Sequence, residues 1–354
     1  MRVPRRPVLL LLYLGVLALF LEASSRLVFR SEALSARILG NDESSFRLAW
    51  IHRGSLPGVA YSFDEYHPTR GWTLLPSIRG ALVFGDRTLN TNAQGLRGST
   101  DTPYDRTPGV PRVEVLGDSF TFGEEVSDEE AYPARLARDL PGTEVLNLGQ
   151  HGYGHDQMLL YLEEEGLRYH PDIVVLGFHP FDMERNILSF RDFAKPRFTL
   201  DGGRLVLRNT PVPTPEQVRA EEPYRSKFWD LVTMLGDRTA WISGRKDREM
   251  KAVTRAILTR FAGLAEERGF RFVVAYLPVW HELDPGPRTD GEEFFLSFCA
   301  SARAECFDLR PSFLEREAQG ERFKTAGHWN RREHEAAAGF LAPRLRALLV
   351  PGGE

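Results

Sequence analysis

The sequence predicts a three-layer α/β/α sandwich around a central parallel sheet of about five strands, preceded by an N-terminal transmembrane helix. Three observations lead there. From Pro111 onward, short apolar runs alternate with segments of helical periodicity. One of those runs, Asp172-Ile173-Val174-Val175-Leu176-Gly177, is apolar almost without a break. The first thirty residues differ in kind from everything after them. Alternation of strand and helix calls for parallel strands with crossover helices on both faces, and a strand covered on both faces has no polar side to alternate with. Hydrophobic residues at 42% and charged residues at 27% are ordinary globular usage and exclude wholesale disorder.

The elements follow in order. Val113-Glu114-Val115-Leu116 is the first strand, and Asp128 to Leu140 is a helix with Asp128 as its N-cap. Glu144-Val145-Leu146-Asn147 is the second strand, a helix runs near Gln157 to Leu167, and residues 172–177 form the third strand. The alternation then breaks at an insertion, residues 193–247. It holds a hairpin (Arg197 to Leu200, a turn at Asp201-Gly202-Gly203, Arg204 to Leu207), a Pro-rich stretch from Thr210 to Pro215 and a charged segment. A helix at Glu249 to Arg268, a strand at Phe270 to Tyr276, a helix near Glu292 to Ala302, a strand at Cys306 to Leu309 and an amphipathic helix from Arg332 to Leu349 complete a domain spanning residues 109–350. Residues 31–108 form a juxtamembrane region of turn signals without strong periodicity, in which Thr91 to Arg97 is a polar loop turning at Gly95.

Residues 1–30 read as a signal anchor. Arg2, Arg5 and Arg6 precede an apolar run from Val8 to Leu21. These fourteen residues are fewer than the roughly 20 that span a hydrocarbon core, and the run also has the length of a signal-peptide core. Glu22 and Arg26, one helical turn apart, fall near the outer interface, with the three arginines held inside. A retained anchor is the reading adopted; a cleaved signal and a soluble buried helix are the alternatives. The first two place the remaining chain on the extracytoplasmic (periplasmic) side of a cell membrane. Cys299 and Cys306, seven apart, suit an oxidising compartment either as a bridge or as two semi-buried thiols. The formal charge of −4, with no Lys/Arg-rich block beyond the N-terminus, offers nucleic acid no foothold. Small molecules or glycans, and the membrane, are the partners that remain.

In sheets of this kind the chemistry gathers beyond the carboxyl ends of the strands. After the first strand comes Gly117-Asp118-Ser119-Phe120-Thr121-Phe122-Gly123, which can set a serine hydroxyl on a tight turn. After the second comes Asn147-Leu148-Gly149-Gln150-His151-Gly152-Tyr153-Gly154, and after the third Gly177-Phe178-His179-Pro180-Phe181-Asp182-Met183-Glu184-Arg185-Asn186. Gly327-His328-Trp329-Asn330 directly precedes the last helix. In this order the blocks resemble those of the SGNH/GDSL hydrolase superfamily, over roughly residues 110–345. The resemblance implies a flavodoxin-like fold that works without a cofactor or metal ion. Ser119 is then the nucleophile and His328 the base that takes its proton. The backbone N–H groups of Ser119 and Gly152 form the oxyanion hole, each donor contributing about 2.7–4 kcal/mol to the transition state.

Two positions depart from the family's pattern. Anchoring on Asp182 and Asn186 puts Phe181 where the family carries its oxyanion asparagine, which leaves His179 as the donor there. The acid that orients the histidine normally lies two or three residues before it, where this chain has Ala326 and Thr325. Thr325, Asp182 and Glu321 are the side chains left to orient the ring. His151 and His155 are four apart, a metal spacing on a helix, but they stand among glycines in a loop. Trp329 packs beside the histidine. Glu124, Glu125, Asp128, Glu129 and Glu130 form a solvated face and helix-start acids, or flank the mouth of the cleft. The function expected is an exported, membrane-anchored esterase that cleaves carboxylic (acyl or acetyl) esters. An O-acyltransferase acting on an envelope polysaccharide is one alternative. A binding or scaffold protein with a decayed site is the other.

Overall fold

The computed structural model describes residues 5–31, 34, 40, 42–53, 59–283, 286–323 and 326–349. Helix α1 (Arg5–Arg30) runs unbroken past the end of the apolar run, and its stretch from Pro7 to Arg30 is long and apolar enough to cross a membrane. Helix α2 (Glu43–His52) follows, started by Asp42, whose side chain accepts the Ser45 N–H at 3.0 Å. The juxtamembrane region, expected to be irregular, then forms two small antiparallel hairpins. These are β1 (Asp64–His67) with β2 (Gly71–Leu74), and β3 (Ala81–Val83) with β4 (Arg87–Leu89). Strands of three or four residues are too short to show an alternating pattern.

The sandwich begins at β5 (Arg112–Gly117), followed by the one-turn helix α3 (Ser119–Phe122), α4 (Tyr132–Asp139), β6 (Glu144–Gly149), α5 (His155–Glu164) and β7 (Ile173–Phe178). A short helix, α6 (Asp182–Arg185), leads into the insertion. Its hairpin is β8 (Arg197–Asp201) with β9 (Arg204–Arg208), and its charged segment proves helical, as α7 (Pro215–Glu221) and α8 (Lys227–Ile242). Helix α9 (Arg245–Arg268), β10 (Arg271–Tyr276), α10 (Asp290–Cys299), β11 (Glu305–Asp308), α11 (Arg310–Ala318) and α12 (Arg331–Leu349) complete the fold. Cys299 and Cys306 form a disulfide, with Cα atoms 6.0 Å apart.

Five strands pair in the order β11-β10-β7-β5-β6, every pairing parallel. All six residues of β5 and of β7 are buried, as a sheet covered on both faces requires. The chain moves outward from β5 to β6 and then crosses back to β7, so the switch point lies between β5 and β7. Ligands bind at such crevices. One boundary differs from expectation. Asp128 begins a single 3-10 turn capped by Ser127, and α4 starts afresh at Tyr132 with Pro133 behind it. Asp128 instead receives the Arg97 guanidinium at 2.8 Å and the Asn90 backbone N–H at 2.8 Å.

Two buried histidines brace the helices. Asn186 meets His155 Nδ1 at 3.2 Å, and the Tyr132 N–H donates to His334 Nδ1 at 3.2 Å. Burial, aided by nearby arginines, lowers both rings from 6.5 to about 3. Unfolded, each ring takes up a proton near 6.5; folded, it stays neutral down to about 3. Their stabilisation is therefore complete above 6.5 and declines as the pH falls through that window. In urea titrations the stability gap between the native chain and His334→Gln should be widest near neutrality and close toward pH 3; a gap independent of pH would contradict the assignment.

Candidate active site

Three glycines let the serine turn sit directly on the end of the sheet. A β-carbon on Gly117 would collide with the Thr121 side chain, one on Gly149 with the backbone of Phe122, and one on Gly177 would lie 2.5 Å from Thr121 Oγ1. These glycines lie at the carboxyl ends of β5, β6 and β7. Helix α3 rests on all three. Asp118 caps it, accepting the Phe120 N–H at 2.9 Å, and Gly123 ends it in the left-handed region at φ 95°. The chain doubles back so tightly that the N–H groups of Gly123 and Glu124 both donate to the Ser119 carbonyl, at 2.9 and 3.0 Å. Arg97, from the juxtamembrane region, braces this turn by donating to the carbonyls of Phe122, Gly123 and Val126 at 2.6–2.7 Å.

Ser119 is 3% exposed, and its Oγ lies 2.8 Å from His328 Nε2 across 209 residues of chain. His328 comes from the turn before α12. The buried Trp329 steadies that turn by donating from Nε1 to the Pro278 carbonyl at 3.2 Å and packing against Phe120 and Phe313. Glu124, expected on a solvated face, is 4% exposed and places Oε2 2.8 Å from the same Nε2. Glu125, held at φ 66°, brings Oε1 to 3.8 Å from Nδ1. Burial alone would lower the His328 pKa; the Glu124 hydrogen bond and charge, with Asp118 and Glu125, outweigh it and raise the ring above its usual 6.5.

Two of the orienting groups expected from sequence, Asp182 and Glu321, are paired with arginines. Asp182 is fully buried and paired at 2.5 Å with Arg185, one turn along α6, whose guanidinium also reaches Asp118 at 3.3 Å. Burial, with the neighbouring Asp118, raises the Asp182 carboxyl well above its usual range. Glu321 pairs with Arg316 at 2.6 Å, Ala326 is exposed, and Thr325 lies outside the described residues. Sequence reasoning put Glu124 and Glu125 on a solvated face or at the mouth of the cleft and gave them no part beside the histidine, because a run of acids before a helix resembles a wet surface. The signal available was Gly123, a residue suited to turning the chain back on itself.

The other predicted residues are Gly152, on the loop after β6, and His179, directly after β7. Gly152 adopts φ 72°, and a β-carbon there would lie 2.5 Å from the Asp192 carboxylate, so only glycine fits. Its loop is tied to the serine strand by the Gln150 N–H on the Gly117 carbonyl at 3.0 Å, and to the juxtamembrane region by the Trp72 indole on the His151 carbonyl at 3.0 Å. His151 pairs with Asp64 at 2.5 Å, both side chains wholly buried; against the effect of burial, that carboxylate raises the His151 pKa. His179 is buried, with its ring stacked 4.2 Å from Phe120; Nδ1 lies 3.8 Å from Asp118 Oδ2, and neither ring nitrogen has a hydrogen-bond partner among the described residues. Burial, with Arg185 nearby, lowers its pKa well below the usual value, so the ring is neutral and carries one N–H. Phe181 is 53% exposed. Ligand atoms of Asp118, His179 and Asp182 lie within 4.8 Å of one another, close enough for a metal ion, yet Arg185 already supplies the positive charge between the two carboxylates.

No protein-family model matches the chain, and no curated protein matches it in sequence. Among solved structures it is similar to a lipolytic protein of the G-D-S-L family from Desulfitobacterium hafniense, with 13% identity over 66% of this chain and 98% of that one and a TM-score of 0.39. It is also similar to a lipolytic protein of the same family from Veillonella parvula, with 11% identity over 66% and 96% of the two chains and a TM-score of 0.40. An acetyl xylan esterase gives 14% identity over 68% and 100%, with a TM-score of 0.40.

Two substitutions test the site's construction. Gly149→Ala forces α3 off the sheet, and its unfolding free energy should fall by about 1–3 kcal/mol in denaturant titration, the usual cost of overpacking. Glu124→Gln removes the charge that favours imidazolium, so the His328 pKa followed by ring NMR should move down; an unmoved titration would show that Glu124 does not set it.

Proposed function

We propose that this protein is an exported serine hydrolase of the SGNH/GDSL type, held to the cell membrane by α1, that cleaves carboxylic (acyl or acetyl) esters of small molecules or glycans on the periplasmic side. The observation that carries the reading is the 2.8 Å approach of His328 Nε2 to Ser119 Oγ, between two blocks far apart in sequence. The order of those blocks supports it, as does their position at the carboxyl edge of a parallel sheet.

In this reading Ser119 Oγ attacks the ester carbonyl carbon while His328 Nε2 takes its proton. Charge developing on the carbonyl oxygen is met by the N–H groups of Ser119 and Gly152, with the neutral His179 ring as third donor in place of the family's asparagine. The imidazolium then protonates the departing alcohol. Water, deprotonated by the same nitrogen, attacks the acyl-serine and releases the acid. Glu124 and Glu125 do the work of the absent aspartate by stabilising the imidazolium. The extracytoplasmic location is supported by α1 and by the disulfide between Cys299 and Cys306.

A fluorophosphonate probe and a p-nitrophenyl acetate assay test this together. Native protein should be labelled and should hydrolyse the ester, while Ser119→Ala should lose labelling and at least about 10³-fold in kcat/KM. Folded native protein that takes no label and turns over no ester would overturn the reading.

A further inference from the structure

We propose that the segment from Tyr224 to Val232, which starts α8, is a second membrane contact that seats the domain at headgroup depth beside the point where α1 leaves the bilayer; this rests on the reading of α1 as an anchor. The apolar run from Val8 to Leu21 covers about 21 Å at 1.5 Å per residue, short of the roughly 30 Å of a hydrocarbon core. The continuation of α1 toward Arg30 covers the remaining depth, and α8 begins beside that continuation, at the level of Glu22.

Glu22 is the joint. Its carboxylate accepts the Ser226 hydroxyl at 2.8 Å and the backbone N–H groups of Lys227 and Phe228 at 3.1 Å, so it closes the N-terminus of α8. Arg26 pairs with Glu22 at 2.7 Å and donates to the carbonyls of Pro223 and Arg225 at 3.4 and 3.1 Å. From there the two helices run side by side. Phe29 of α1 packs with Met234 and Leu231 of α8 and with Leu48. At this depth the charged atoms are thus bonded to one another and to backbone. Beside the exposed Ser226 and Thr233, three large apolar or aromatic side chains face outward: Tyr224 at 89% exposed, Leu27 at 65% and Trp229 at 62%. Val232 and Leu235 continue the Trp229 face at three-residue spacing, opposite the face that packs on Phe29.

That arrangement suits a phospholipid interface rather than water. Tyrosine and tryptophan concentrate at headgroup level, where the ring is apolar and its O–H or N–H stays wet. Arginine stems lie along apolar surface with the charged head kept in water; Arg225, paired with Asp230 at 2.6 Å, stays 39% exposed on the same turn. Contact through both α1 and the start of α8 would fix how the domain faces the membrane, which one flexible tether cannot do. A role then falls to part of the 193–247 insertion that the sandwich itself does not require.

The test uses the full-length protein in phosphatidylcholine–phosphatidylglycerol vesicles, with and without phosphatidylcholine brominated near the headgroup end of its chains. Of the six tryptophans, Trp229 is the one in this segment. Native protein should float with the vesicles and lose tryptophan emission to the brominated lipid, and Trp229→Phe should float equally well with the quenching cut by more than half. Equal quenching in both proteins would overturn the proposal. So would floating protein with no quenching whose Trp229 emission shifts with protein concentration, since a second copy would then cover the face. Failure to float at all would remove the anchor reading, and this inference with it.

Discussion

Everything at the reacting edge depends on how closely α3 sits on the sheet. Three strands carry a glycine at or next to their carboxyl end, where a β-carbon would strike Thr121 or Phe122, so a one-turn helix lies on the sheet's edge with no side-chain layer between them. Interiors at this density do not deform gradually, and a displacement of about 1 Å at a reacting group can cost about 10²-fold in rate. The position of Ser119 is therefore fixed by the strand ends on which its turn rests. The same packing leaves the chain after Phe122 no room to continue forward. It turns at Gly123 and returns over the Ser119 carbonyl, which is why two glutamates end beside the histidine.

Buried charge does the second part of the positioning. Asp118, directly before the serine, shares Arg185 with Asp182, and Arg185 also donates to the Tyr153 carbonyl at 3.0 Å. One guanidinium thus links the segments after β5, β6 and β7. Lys195 does the same further out, pairing with Asp156 of α5 while its ammonium donates to the carbonyls of Arg185 and Leu188. Removing one partner of such a pair leaves a buried charge uncompensated and costs about 3–5 kcal/mol. The juxtamembrane region joins this frame through Arg97, Trp72 and Asp64, so it forms a wall of the site rather than a loose stalk.

Much of this was legible in the sequence. The five sheet strands, the hairpin in the insertion and the placement of Ser119 and His328 at the carboxyl edge follow from apolar runs, turn residues and block order, which are local signals. The rest depends on contacts distant in the chain. Only Gly123 hints that Glu124 is buried, because its burial follows from a reversal there and from a histidine about 200 residues away. Asp182 looked free to serve the histidine until Arg185, on the next turn of its own helix, was seen to hold it. The small hairpins of the juxtamembrane region escaped because their order comes from packing on the sandwich: Trp72 is wholly buried by the loop it supports.

The placement of the acids changes what the pair beside Ser119 can do. In the usual triad a carboxylate on Nδ1 fixes the tautomer and leaves Nε2 to the serine. Here Glu124 meets Nε2 itself and Glu125 stands on the Nδ1 side at a longer distance. With the ring neutral and its proton on Nδ1, Nε2 can accept from Ser119, but its lone pair then also faces the Glu124 carboxylate at 2.8 Å, which favours the protonated ring. With the ring protonated, Nε2–H lies between Ser119 Oγ and Glu124, and Nδ1–H faces Glu125. Both carboxylates then stabilise the imidazolium, the state that forms as the serine proton transfers, more than the neutral ring. That is differential stabilisation of the charged step, and it explains why the His328 pKa stands above its usual value despite burial. Both glutamates lie on the turn that starts at Ser119, so in the proposed reading the nucleophile and the charge that would stabilise the imidazolium are set by one element.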